Sequence, residues 1–134
     1  MFLLKWFQQW RAKRDAAANA RWNNFAQLPG QIFQIVSIRQ KARTGLKAYV
    51  THPAGGERFA VWIRRDLIPH TWPHVGLFVC VSGGTGSGLH HNEPVFYVDE
   101  LFGTVDSEAH RGMLRHTARG DAFARANARR EPIS

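Results

Sequence analysis

Apolar residues recur along this chain in two rhythms, and each predicts a different kind of element. Over residues 2 to 26, Phe2, Leu3, Trp6, Phe7 and Trp10 stand three and four apart, which puts them on one face of a helix. Lys5, Gln8, Gln9 and Arg11 fall elsewhere, and Lys13, Arg14 and Arg21 flank the apolar face. The alanine-rich run from Ala16 to Ala20 favours continuation of the helix. Leu28-Pro29-Gly30 ends it, because proline disfavours helix in the residue before it. From residue 31 the rhythm changes to alternation. Segments 32–39, 46–51, 59–64, 77–82 and 95–101 read as short strands, separated by Thr44-Gly45, His52 to Gly56, Pro69 to Gly76 and Gly83 to Gly88. Residues 106 to 130 return to helix, with Asp106 or Ser107 as cap and an interruption expected at Gly120-Asp121. Arg111, Arg115 and Arg119 recur there at intervals of four.

These rhythms divide the chain into an amphipathic N-terminal helix (1–28), a small β-barrel (29–105) and a basic C-terminal helical arm (106–134). The expected class is mainly β with flanking helices. Five short strands with no edge to spare favour closure into an OB-like or SH3-like barrel. The order of three strands, a longer connection and two further strands resembles the OB-fold. The connection at 66–76 departs from that layout, because Pro69 and Pro73 leave no helical pattern where the OB-fold usually has a helix.

Alternation also assigns faces to the strands. With Leu46, Ala48 and Val50 inward, Lys47, Tyr49 and Thr51 point outward. With Phe59, Val61 and Ile63 inward, Ala60, Trp62 and Arg64 point outward. With Leu77, Val79 and Val81 inward, Phe78, Cys80 and Ser82 point outward.

Composition limits the function classes. With 134 residues and 15.2 kDa there is room for one small core and short appendages. A single cysteine, Cys80, excludes an internal disulfide, and its apolar neighbours mark it as a small sheet residue. The net charge of +8 favours anionic partners. Half of it, +4, belongs to residues 1 to 30, while residues 31 to 105 and 106 to 134 each carry +2. That distribution points to the first helix more than to the barrel. No apolar stretch reaches the roughly 18 residues of a membrane-spanning helix. The opening MFLLKWFQQW also lacks the unbroken apolar core and cleavage site of a signal peptide. The expected location is cytoplasmic, within a larger assembly, or peripheral to a membrane.

The stretch VSGGTGSGLHH (81–91) resembles the phosphate-binding GGTGSGKT loop of the secretion and conjugation ATPases, which implies a nucleotide. Leu89-His90-His91 stand where that loop needs Lys-Thr for phosphate and magnesium, and a strand pattern follows instead of a helix. The chain is also too short for the parallel sheet of such ATPases. The glycine run is therefore expected to be a flexible connection in which glycine permits positive φ, with no nucleotide bound.

Among other chemistry-bearing residues, His90, His91 and Glu93 have metal-ligand character, with His70 and His74 in the preceding connection. Adjacent histidines on an extended chain point apart, and Pro69 and Pro73 oppose a helix there, so no metal or other cofactor is expected. The consecutive Asp99 and Glu100 point apart likewise, and no serine or cysteine has a nucleophile context, so no enzyme is expected. The leading expectation is a non-catalytic interaction and assembly module. It would dock on a protein partner, a homo-oligomeric copy or an anionic surface through its helical ends, with Phe2, Leu3, Trp6, Phe7 and Trp10 as the docking residues. Two alternatives use the same features. One is peripheral attachment to a membrane through the first helix. The other is single-stranded nucleic-acid binding by Lys47, Tyr49, Trp62, Arg64 and Phe78 with Arg111, Arg115 and Arg119, unless a helix of the chain covers that face.

Overall fold

A computed structural model describes residues 2–87 and 92–130, without the side chains of Phe2, Arg129 and Arg130. The elements in chain order are α1 (Phe2–Ala26), β1 (Gln31–Ala42), β2 (Gly45–Thr51), β3 (Phe59–Arg64), a single 3-10 turn (Arg65–Leu67), β4 (Phe78–Ser87), β5 (Pro94–Val105) and α2 (Ser107–Arg130). They form two compact units, one of residues 25–106 and one of residues 1–24 with 107–134.

The 25–106 unit is a five-stranded mixed sheet closed into a ring in the order β1-β2-β3-β5-β4. Four of the pairings are antiparallel, and β3 with β5 is parallel. Alternation explains its inside. Leu46, Ala48 and Val50 of β2, Val61 and Ile63 of β3, and Val79 and Val81 of β4 meet Phe33, Ile35, Phe96 and Val98 in one buried core. The inward faces expected of β2, β3 and β4 are the faces found. β1 must pair with both β2 and β4, and its register shifts at Ile35/Ser37 and Ile38/Gln40 bend it along its length. Between β3 and β4 there is the 3-10 turn but no α-helix.

The glycine run differs from expectation. Gly83, Gly84 and Gly86 belong to β4, which continues to Ser87 and pairs with Pro94 to Val98 of β5. Among the described residues positive φ occurs only at Gly55, Gly56 and Gly76, so Gly83, Gly84 and Gly86 are not turn glycines, and of the three only Gly83 is required by a close approach. A Cβ at Gly83 would collide with the Tyr97 carbonyl, and one at Gly86 would touch the Tyr97 ring at 3.5 Å. Glycine at position 83 lets the two backbones pack closely. Gly88, His90 and His91 lie outside the described residues.

In the other unit α1 and α2 run antiparallel. Ala18 lies against Gly112, Asp15 faces Arg115 and Arg119, and Trp22 packs on His110 with ring centroids 4.6 Å apart. The seam is narrow because Gly112 has no side chain, and an added Cβ would overlap that of Ala18. The expected interruption at Gly120-Asp121 is absent, and α2 is continuous through both residues. An isolated glycine lowers helix propensity by about 1 kcal/mol, too little to break a 24-residue helix with good formers around it.

Candidate functional site

The first turns of α1 carry the most exposed apolar surface among the described residues. Leu3 is 71% exposed, Leu4 63%, Trp6 54%, and Phe7 and Trp10 47% each. Phe2 belongs to the helix, but its side chain is outside the description. At 3.6 residues per turn, Leu3, Trp6, Phe7 and Trp10 share an arc of about 100°. The residues that face α2, namely Asp15, Ala18 and Trp22, lie about 100° round the helix from the centre of that arc. The apolar stripe is therefore not a continuation of the seam. Leu4 falls outside the stripe, so the front of the helix is apolar over more of its circumference than the i, i+3, i+4 spacing implied. Trp6 and Phe7 pack edge to face at 5.3 Å, and the Arg14 guanidinium carbon lies 5.1 Å from the Trp10 ring centroid.

Asp15 was not singled out by sequence, yet it organises the helix pair. It is fully buried and accepts two hydrogen bonds from Arg115 at 3.1 Å through Oδ1. Arg119 Nη1 approaches Oδ2 at 2.7 Å as an ion pair. Burial by itself raises the Asp15 carboxyl. The Arg115 hydrogen bonds and the two guanidinium charges outweigh it and hold the group below the ordinary carboxylate value. The signal for this residue was present in the sequence. It is the only acid among residues 1 to 30, three and seven positions before Ala18 and Trp22.

The three arginines of α2 expected to meet phosphate each have an intramolecular partner. Arg111 donates to Glu108 at 3.0 Å and to Ser107, and Arg115 donates to Asp15 and to Glu108 at 2.7 Å. Arg119 pairs with Asp15. Bonds from Arg115 and then Arg111 hold the Glu108 carboxyl below its usual range.

The outward residues of the ring divide into two groups. Lys47, Tyr49 and Trp62 come together on adjacent strands, where Lys47 is paired with Trp62 and Trp62 with Tyr97, but Lys47 is buried at 9% exposure rather than open to a ligand as expected. The Trp62 ring lies over Gly45, where a Cβ would sit 2.6 Å from the indole. Glu93 ties the cluster together. It accepts the Tyr49 hydroxyl at 2.6 Å and pairs with Lys47 at 3.2 Å. Those bonds, the tyrosine's first, lower the Glu93 carboxyl, while the same bond raises the Tyr49 hydroxyl. Arg58 stacks on Tyr49 at 4.6 Å. Sequence reading did not select Tyr97 or Arg58. Extending the alternation of β5, with Phe96 and Val98 inward, would have put Tyr97 on this face.

Arg64 and Phe78 do not join that cluster. Arg64 is exposed and bonds Asp66 at 3.2 Å. Phe78 corrects the sequence expectation, because it is fully buried and offers no face for stacking. Cys80, two residues on and on the same side, is buried as well, with the Leu28 carbonyl 3.9 Å from its sulfur. At Phe78 and Cys80 the outer side of β4 is apolar and covered, and burial raises the Cys80 thiol. His70 and His74 lie in the connection before β4, and Glu93 is committed to Tyr49 and Lys47. Among the described residues no three His, Cys, Asp or Glu side chains come together as metal ligands would. No described helix is long and apolar enough to cross a membrane.

Compared with protein-family models and with curated proteins, the sequence matches none, so what the chain does has to be read from its own residues.

Proposed function

We propose that this protein is a non-catalytic docking module, in which the first turns of α1 attach an OB-like body to an anionic surface. One observation carries the reading. Five large apolar side chains between Leu3 and Trp10 stand 47–71% exposed, in a segment whose residues 1 to 14 hold four cations and no acid. Apolar patches of this kind on small proteins mark interaction sites. The OB-like description of the body is supported by the ring order β1-β2-β3-β5-β4 with its one parallel pair, although the helix usual between the third and fourth strands is absent. The test is fractionation of cells that express the full chain or the variant Trp6→Gln/Phe7→Gln/Trp10→Gln. The native chain is expected to sediment with large particles and the variant to stay in the supernatant. A native chain that stays in the supernatant sinks the proposal.

The Tyr49–Trp62–Tyr97 cluster favours a second reading, in which this outer face binds single-stranded nucleic acid by stacking. OB-folds use the face of their second and third strands in this way. Under that reading Trp62→Ala weakens oligonucleotide binding about tenfold or more, since each stacked base contributes roughly 1–3 kcal/mol. Arg58→Ala, which removes the cation stacked on Tyr49, flattens the salt dependence instead. A labelled oligonucleotide that fails to bind at about 50 mM salt removes the reading.

A further inference from the structure

We infer that the surface met by the first turns of α1 is an anionic phospholipid bilayer, an inference that rests on the docking reading above. Leu3, Trp6, Phe7 and Trp10 form a stripe about 10 Å long at 1.5 Å per residue. The stripe is confined to the first turns, since α1 taken over its 25 residues has no continuous apolar face, so it is the tip of the helix whose apolar side would sink roughly 5–10 Å into the interface. Exposure of 47–71% and the turn of about 100° away from the α2 seam leave the stripe outside the helix pair's own packing.

Charge chooses among the occupants. A second copy of the chain would bring two cationic segments together. Residues 1–15 and 119–130 hold eight Lys and Arg against two acids, and one of those acids, Asp15, is buried. Self-association through the stripe is therefore opposed electrostatically. A protein groove would have to combine an apolar floor wide enough for two indoles with an acidic rim on both sides. An anionic bilayer offers both everywhere on its surface. Lys13 lies beyond one edge of the stripe, next to Trp6 and Trp10. Arg11 and Arg14 lie towards the other edge, one and two turns beyond Phe7, and the Arg14 guanidinium is also 3.8 Å from Asp15. Long cationic side chains in those places reach phosphate while their stems stay on apolar surface. The Arg14 guanidinium stacked on Trp10 sets a cation beside an indole, the residue type enriched at headgroup level.

The experiment is flotation of the full chain with vesicles of phosphatidylcholine alone or with 30% phosphatidylglycerol, a composition of about that order giving a surface potential of tens of millivolts. The native chain is expected to float with the anionic vesicles and to remain below with the neutral ones. Lys13→Gln/Arg14→Gln should lower anionic partitioning by about tenfold to thirtyfold, from roughly a factor of five per cation near the surface. Trp6→Gln/Phe7→Gln/Trp10→Gln should abolish flotation with the circular dichroism of the helices unchanged, since these side chains stand half to mostly in water. Native protein that fails to float at low salt overturns the inference, and so does a triple variant that floats as well as the native chain. If the native chain sediments with cell particles yet does not float with vesicles, the occupant is a protein. The lipid inference then falls while the docking reading stands. If it does neither, both fall.

Discussion

The same substitution at two glycines of α2 should change stability in opposite directions. Gly→Ala inside a helix normally stabilises by about 1 kcal/mol, because alanine has less backbone entropy to lose. Gly120 is exposed, and a Cβ there would meet nothing within 4 Å, so Gly120→Ala should gain most of that amount, about 0.5–1 kcal/mol. Gly112 is buried, and its Cβ would overlap that of Ala18 across the seam. Both contacting atoms sit rigidly on helix backbones, so relief requires the helices to separate and loosen the Asp15 carboxylate from Arg115 and Arg119. Overpacking of this kind costs about 1–3 kcal/mol, which exceeds or cancels the propensity gain. Gly112→Ala should therefore come out neutral to about 2 kcal/mol less stable. Urea unfolding followed by the helical circular dichroism signal measures both variants against the native chain. Adding Ala18→Gly to Gly112→Ala removes the colliding methyl, so the two changes should couple favourably in a double-mutant cycle. If Gly112→Ala stabilises as much as Gly120→Ala and the cycle shows no coupling, the helices do not meet at Ala18 and Gly112.

Asp15→Asn keeps the shape of the side chain but removes the charge that holds Arg115 and Arg119 closely and Arg14 at 3.8 Å. Because Arg115 and Arg119 are 39% and 47% exposed and can return to water, the loss should be about 1–2 kcal/mol in the same urea assay, and no loss would refute the clasp. In acid the sign follows from proton binding. The folded Asp15 and Glu108 carboxyls lie below their unfolded values, so the native state holds fewer protons. Their stabilisation is complete above the ordinary carboxylate range near pH 4 and is lost as pH falls through the depressed native values. A pH series of the urea midpoint should show this fall, and Asp15→Asn should make it shallower. Gly83→Ala should destabilise the ring by about 1–3 kcal/mol, since its methyl meets the fixed Tyr97 carbonyl, while Gly84→Ala, with open space around it, should cost less than 1 kcal/mol. Equal effects of those two changes would show that the close approach of β4 to β5 at Gly83 is absent.

Local periodicity sufficed where an element's neighbours along the chain carry its pattern. The extent of α1 and the inward residues of β2, β3 and β4 were legible because helical and strand periods are properties of a few consecutive residues. The number of strands followed from the same pattern and the turn residues between them. Tertiary structure decided what no local rhythm contains. Alternation placed Phe78 and Cys80 outside the ring correctly, but it could not say that this outside is covered. Glycines 83, 84 and 86 carry turn propensity in sequence, yet pairing with β5 draws them into β4, where the missing side chain of Gly83 is an advantage. Asp15 finds Arg115 a hundred residues away, and Glu93 finds Tyr49 across 44. Arginines that look free as a basic row on α2 are thereby bound to carboxylates. The physical reason is common to all of these. A sequence period states which way a side chain points relative to its own backbone. Burial, ion pairing and close backbone approach depend on what the closed ring and the helix pair bring to that side.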